Sequence, residues 1–238
     1  MANNKVYIHE FVDIILQNRA AYIRHMTEGW EPIGRERNMK CFGVWATVGT
    51  SERWPETTNM WELDGIHALA KNFEIELNNP KHQDPTLEKW WGKAQEYRSG
   101  GYDRLVRPAT YSPTIEENVK AGTKGGVYYH ELIRVAPGQA KTYLSMMEEL
   151  WIPVADRLGL KLCFAGRSMM VNESEVICIW AIKDWPAWAN VEKAYESDPA
   201  VAVWRKQTQH IALDWRNKLL ADGPLNPMNT GVLLPRPE

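Results

Sequence analysis

Apolar and polar positions alternate along VYIHEFV from Val6, and the same rhythm returns in VYYHELI from Val127, 121 residues later. A period of two over this length predicts a strand with one face buried. Downstream the period becomes helical, with Tyr22 and Met26 one turn apart in the first copy and Tyr143 and Met147 in the second. Asn38 and Gly159 follow at equal spacing, and both residue types tolerate the left-handed cap that ends a helix. Strand patterns resume in KCFGVWATVG from Lys40 and TTNMWEL from Thr57, and again in KLCFAGRSMMV from Lys161 and EVICIWAI from Glu175. The polar turn Asn172 to Ser174 makes the later pair a hairpin. A second helical pattern runs from Gly65 to Leu77 and from Pro186 to Tyr195, each stopping near an Asn-Pro or Asp-Pro pair.

The chain is therefore a duplication. Tyr22/Tyr143, Met26/Met147, Glu28/Glu149, Trp30/Trp151 and Pro32/Pro153 keep the 121-residue offset, which slips to 119 for Trp61/Trp180 and Pro80/Pro199. A two-residue difference in loop length accounts for the slip. Strand, helix, strand, strand, helix is the split unit of a ferredoxin-like fold, present twice. The fourth-strand position of each copy reads as a Trp-rich amphipathic helix, Leu87 to Tyr102 and Ala200 to Leu220. The expected organisation is repeat 1 with its added helix over 1–105, a linker over 106–126, repeat 2 over 127–221 and an extended tail over 222–238. A lone four-stranded sheet with helices on one face leaves the other face bare. Two such sheets solve this by facing each other, so the fold class is α+β: two tandem ferredoxin-like repeats packed sheet to sheet as an α+β barrel around an apolar cavity.

Charge and composition narrow the partners. A formal charge of −2 without a basic run gives no footprint for nucleic acid or an anionic membrane surface. No apolar run reaches membrane-spanning length and MANNKVYIHE lacks signal-peptide zones, so a cytoplasmic protein is expected. Cys41, Cys163 and Cys178 are odd in number and sit among apolar residues, which predicts buried reduced thiols. Twelve tryptophans are the compositional outlier and supply apolar area for a cavity, an interface or a core. A homo-oligomer is expected, with the proline-rich tail lying on the surface or on a partner copy.

The strand-initial tyrosines, the Pro137–Gly138 strand-to-helix junction and the Trp-rich tails resemble the dimeric α+β barrel superfamily, and most closely its NIPSNAP-like members. The NIPSNAP pattern has Arg two residues after the first-strand Glu, whereas Val12 and Ile133 follow Glu10 and Glu131 here. The resemblance implies a barrel-forming enzyme or binding protein, since the superfamily holds cofactor-free monooxygenases, cyclases, isomerases, haem-binding groups and members without known chemistry.

Candidate chemistry lies on the first strands. Alternation places Tyr7 and His9, with Tyr128 and His130, on the cavity face, and Glu10 and Glu131 on the helix face. His9 and His130 are candidate general acid and base, with Tyr7 and Tyr128 as donors to an oxyanion; the alternative is that the rings tie strand to strand. Glu10 and Glu131 complete the catalytic candidates, and Trp45, Trp61 and Trp180 are the expected apolar wall for a small hydrophobic substrate. The four remaining histidines, His25, His67, His82 and His210, lack metal-ligand spacing, so no metal is expected. The expected chemistry is cofactor-free acid–base catalysis of the isomerase, cyclase, lyase or hydratase type. Haem on a histidine, and a ligand carrier without catalysis, are the alternatives.

Overall fold

The alternating stretches become β1 (Val6–Ile14) and β5 (Val127–Val135) in a computed structural model that describes residues 2–30, 33–34 and 37–233. They are joined by β2 (Met39–Thr47), β3 (Glu56–Leu63), β4 (Arg98–Pro108), β6 (Leu160–Ser168), β7 (Glu175–Ile182) and β8 (Ala212–Ala221). These strands close an antiparallel barrel in the order β1-β3-β2-β8-β5-β7-β6-β4. Each half keeps the ferredoxin-like order fourth, first, third, second, and the halves are stitched where β2 meets β8 and β4 meets β6. The expected α+β barrel of two tandem repeats is the fold observed.

Helices cover the outside. In chain order they are α1 (Arg19–Arg24), α2 (Ile66–Leu77), α3 (Glu88–Gln95) and α4 (Ile115–Lys120). The second half adds α5 (Ala140–Met146), α6 (Ile152–Leu158), α7 (Trp185–Ser197), α8 (Pro199–Thr208) and α9 (Pro227–Thr230). A π-helical turn follows α1 at His25–Trp30, and another joins α5 to α6 at Met147–Trp151. Pro153 cannot donate a backbone hydrogen bond, and the wider turn before it absorbs the break that a straight α-helix would suffer. Pro32 lies outside the described residues. Asn38 and Gly159 both adopt the left-handed conformation, with φ of 55° and 92°.

Three expectations change. The fourth-strand positions hold a helix and then a strand, α3 with β4 and α8 with β8, rather than helices throughout. The inward residues of these strands include Arg104 and Lys218, so no apolar alternation marks them as strands. The 106–126 stretch is not a plain linker: it finishes β4 and forms α4, closed by a capping box between Thr114 and Glu117. The tail from Asp222 is not simply extended. Asn226 docks it onto β2, donating to the Val44 carbonyl at 2.9 Å and accepting from the Val44 N–H at 2.8 Å, and α9 follows. Residues 234–238 lie outside the described residues.

Inside the barrel Tyr7, Phe42, Trp45, Met60, Tyr128 and Phe164 are fully buried against one another. Separate cores lie between the barrel wall and its helices, one around Tyr22 and Trp61 and the other around Tyr143, Trp151, Trp180 and Trp204. No described helix is long and apolar enough to cross a membrane.

Candidate functional site

Strand alternation sends one column of β1 and one of β5 into the barrel. His9 and His130 meet there, Nε2 to Nε2 at 2.8 Å, with neither ring exposed. Burial holds both imidazoles well below their usual pKa; for His9 the positive charges of Arg104 and Lys218 add to it, and for His130 so do His9, Lys218 and Arg104. Neither Nδ1 has a hydrogen-bond partner on another residue among the described residues. Tyr7 lies one inward step further from the mouth, donating to Glu62 at 2.8 Å, while the Tyr128 hydroxyl accepts from the Gly125 N–H at 3.2 Å. The four residues thus share one packed interior, and all four are fully buried. A haem does not fit this arrangement: an iron on either Nε2 would displace the other ring, and the surrounding side chains fill the space a macrocycle needs.

Above the histidines the barrel opens into a mouth of about 690 Å³. The duplication writes the same polar triad on both sides of it. Thr47 and Lys218 both donate to Glu56, at 3.1 and 2.5 Å, and Ser168 and Arg104 both donate to Glu175, at 2.5 and 2.7 Å. Each triad crosses between halves, so each one clamps a seam where the ladder is only two or three residue pairs long. Arg104 and Lys218 also stand over the Phe11 ring, at 5.1 and 3.6 Å from its centre.

The other column of each strand faces the helices. In the second half it opens into a cavity of about 670 Å³ between β5, β8 and the helices α7 and α8. Glu131 stands in its wall, partly exposed to the cavity, and accepts from Trp180 Nε1 at 2.7 Å. Burial pushes this carboxyl up to about 7, and the indole bond opposes it. Around it stand Tyr195, Trp151 and Trp204 in a stacked row, with neighbouring ring centres 6.0 and 5.8 Å apart. Opposite them Asn217 donates to the Tyr129 hydroxyl at 2.7 Å, leaving that hydroxyl its own proton to give. Burial raises the Tyr129 phenol well above its usual range, so it stays protonated.

The first half shows what the tuning depends on. Glu10 accepts from Asn59 at 2.8 Å and from Trp61 at 3.0 Å, and Asn59 also reaches the Tyr22 hydroxyl. Burial and the nearby Asp103 raise Glu10, while those two bonds and Arg98 hold it down. Cys178 occupies the place of Asn59 in the second half, a buried thiol facing Met147. Glu131 is thereby short of one donor. The cavity beside Glu10 is also smaller, about 330 Å³, with Ile8, Glu76 and Asp103 where the second half has Tyr129, Tyr195 and Asn217.

The tryptophans divide accordingly. Trp45 fills the barrel interior, whereas Trp61 and Trp180 lie outside it as donors to the two glutamates, so no common Trp wall forms in the barrel. Cys41, Cys163 and Cys178 are buried. Sequence reasoning missed Arg104, Lys218, Glu56 and Glu175 because they meet only through barrel closure. Cys178 was open to detection, since aligning the two halves sets it against Asn59.

No family model and no curated protein matches the chain by sequence. Its fold has solved counterparts. A candidate monooxygenase from Lactobacillus acidophilus NCFM aligns at TM-score 0.60 and 12% identity, over 92% of this chain and 94% of that one. An anthrone oxidase-like protein aligns at TM-score 0.65 and 10% identity, over 93% of each chain. NIPSNAP proteins are also among the similar structures; one from Agrobacterium tumefaciens strain C58 covers 44% of this chain and 96% of its own, at TM-score 0.40 and 18% identity.

Proposed function

We propose that the protein is an enzyme that removes a proton from a small hydrophobic, aromatic molecule, and that the reaction takes place in the helix-side cavity of the second half. Glu131 is the general base. Burial raises the carboxyl to about 7, so that near neutral pH it exchanges between its two forms and its carboxylate is more basic than that of an ordinary glutamate. That poise, at the wall of an aromatic cavity, is the observation that carries the reading. The stacked row of Tyr195, Trp151 and Trp204 receives the rings of the substrate. Glu131 takes the proton from a carbon conjugated with a carbonyl, the electron pair moves to the carbonyl oxygen, the Tyr129 hydroxyl donates to the resulting enolate, and Glu131 returns the proton to the oxygen or to another carbon, completing an isomerisation. These side chains carry the proton transfer without a bound cofactor. His9 and His130 hold the barrel together and do not touch substrate.

The anthrone oxidase-like and monooxygenase descriptions of the fold neighbours make anthrone a sensible first probe, since the acidic C–H of its benzylic carbon is conjugated through the aromatic rings with the ketone. Tryptophan fluorescence should report binding, and product analysis should report turnover that Glu131→Gln abolishes while binding persists. Binding without turnover across a panel of anthrones and hydroxyaryl ketones would make the protein a carrier. Undiminished turnover in Glu131→Gln would remove the glutamate from the mechanism.

A further inference from the structure

The two-residue slip in the repeat falls in the loop between the second and third strands, residues 48–55 in the first half and 169–174 in the second. The longer loop is pinned along β8. Val48 donates its N–H to the Leu219 carbonyl at 2.8 Å, and the Leu219 N–H donates to Ser51 Oγ at 3.0 Å. This brings Glu52 and Arg53 over the barrel mouth. The shorter loop turns its acid elsewhere, Glu173 pairing with Arg167 at 2.8 Å and Lys141 at 3.2 Å.

The mouth is therefore lopsided. Asp13 is matched by Arg53 at 2.9 Å, but its counterpart in the second half is Arg134, which no carboxylate among the described residues pairs. Arg104, Lys218 and Arg216 have their own acids in Glu175, Glu56 and Asp214. Glu52 acts on Lys218 through space but has no ion pair among the described residues. One open cation and one open anion remain on the rim of a cavity of about 690 Å³ floored by Phe11 and Leu132. This cavity lies on the opposite face of the sheet from Glu131.

We infer that the barrel mouth is a second ligand site, built for a small zwitterion with an apolar body, its carboxylate on Arg134 and its ammonium on Glu52. The charges of such a ligand complete the pairing that the two halves leave unfinished, and its body covers Phe11 and Leu132. A ligand with only one of the two charges leaves one rim group unanswered.

Isothermal titration of the full chain with phenylalanine, phenylacetate and phenethylamine tests the inference. Phenylalanine should bind, and the two singly charged compounds should bind about two- to fivefold more weakly, as one exposed ion pair is worth. Arg134→Gln and Glu52→Gln should each weaken phenylalanine by about the same factor. Both side chains are exposed, so unchanged melting temperatures should confirm that the variants fold. Glu131→Gln should leave this binding unaltered, which separates the mouth from the helix-side cavity. The inference fails if no heat of binding is seen up to the solubility limit of phenylalanine, if a singly charged compound binds as tightly, or if neither rim substitution weakens binding.

Discussion

His9 and His130 occupy matching positions in the two repeats and point at each other across the barrel, Nε2 to Nε2 at 2.8 Å. One ring must donate and the other accept, so the duplicated fold imposes unlike tautomers on like residues. Both imidazoles are held below their usual pKa, so the unfolded chain binds more protons than the folded one below about pH 6.5. Their contribution to stability is intact above that pH and erodes as the pH falls. His130→Leu should cost about 1–3 kcal/mol at pH 7.5, because it strands a buried His9 nitrogen. Replacing both by Leu should recover much of that loss. Urea unfolding at pH 7.5 and 5 should show the double variant losing less stability on acidification than the parent.

Glu131 runs the opposite way. Its folded pKa of about 7 exceeds the ordinary 4.5, so the folded state holds the extra proton between those values. Stability from this group is complete at pH 4 and lost as the pH rises through 7. Glu131→Gln should therefore match the parent near pH 4 and exceed it by about 3 kcal/mol at pH 8, the worth of the shift. The same variant should lack turnover, a trade of stability for function at one residue. Paired denaturation curves at the two pH values check the first outcome.

The ion pair of Glu56 and Lys218 is nearly closed to solvent, with each side chain 4% exposed, while Arg216 and Asp214 pair at 70% and 44% exposure. Lys218→Met should cost about 3–5 kcal/mol, because Glu56 keeps a buried charge without its partner. Arg216→Met should change stability by less than about 1 kcal/mol. Adding Glu56→Gln to Lys218→Met should restore part of the loss. Chemical denaturation of the three variants at low and high salt would expose an error here if Lys218→Met proved no worse than Arg216→Met.

The parts of the fold that could be read in sequence are those where one face is apolar. β1 and β5 alternate cleanly, and Asn38 and Gly159 mark their helix ends because few other residues accept a positive φ. β4 and β8 escaped because their inward positions carry Arg104, Tyr102, Arg216 and Lys218 into a polar mouth, the reverse of the usual pattern. The site divides along the same line. Alternation alone put His9 and Glu10 on opposite faces. The pKa of Glu131, in contrast, depends on Trp180 and Cys178 from β7 and on burial beneath distant helices, none of which has a local signature.

The two halves also supply a way to retune the site. Asn59 gives Glu10 a second hydrogen bond, and Cys178 in the matching place gives Glu131 none. Cys178→Asn should supply that donor, stabilise the carboxylate form and bring the Glu131 pKa down from about 7. The carboxyl band of Glu131, followed by infrared titration and assigned by its loss in Glu131→Gln, should then titrate at lower pH. The acidic limb of kcat/KM should move with it, while activity at pH 7 falls because the base is weaker. Asn59→Cys should push Glu10 the other way. Cys178→Ser, smaller and without a long-reaching donor, controls for packing against Met147. If Cys178→Asn and Cys178→Ser shift the band equally, the missing donor is not what sets the pKa of Glu131.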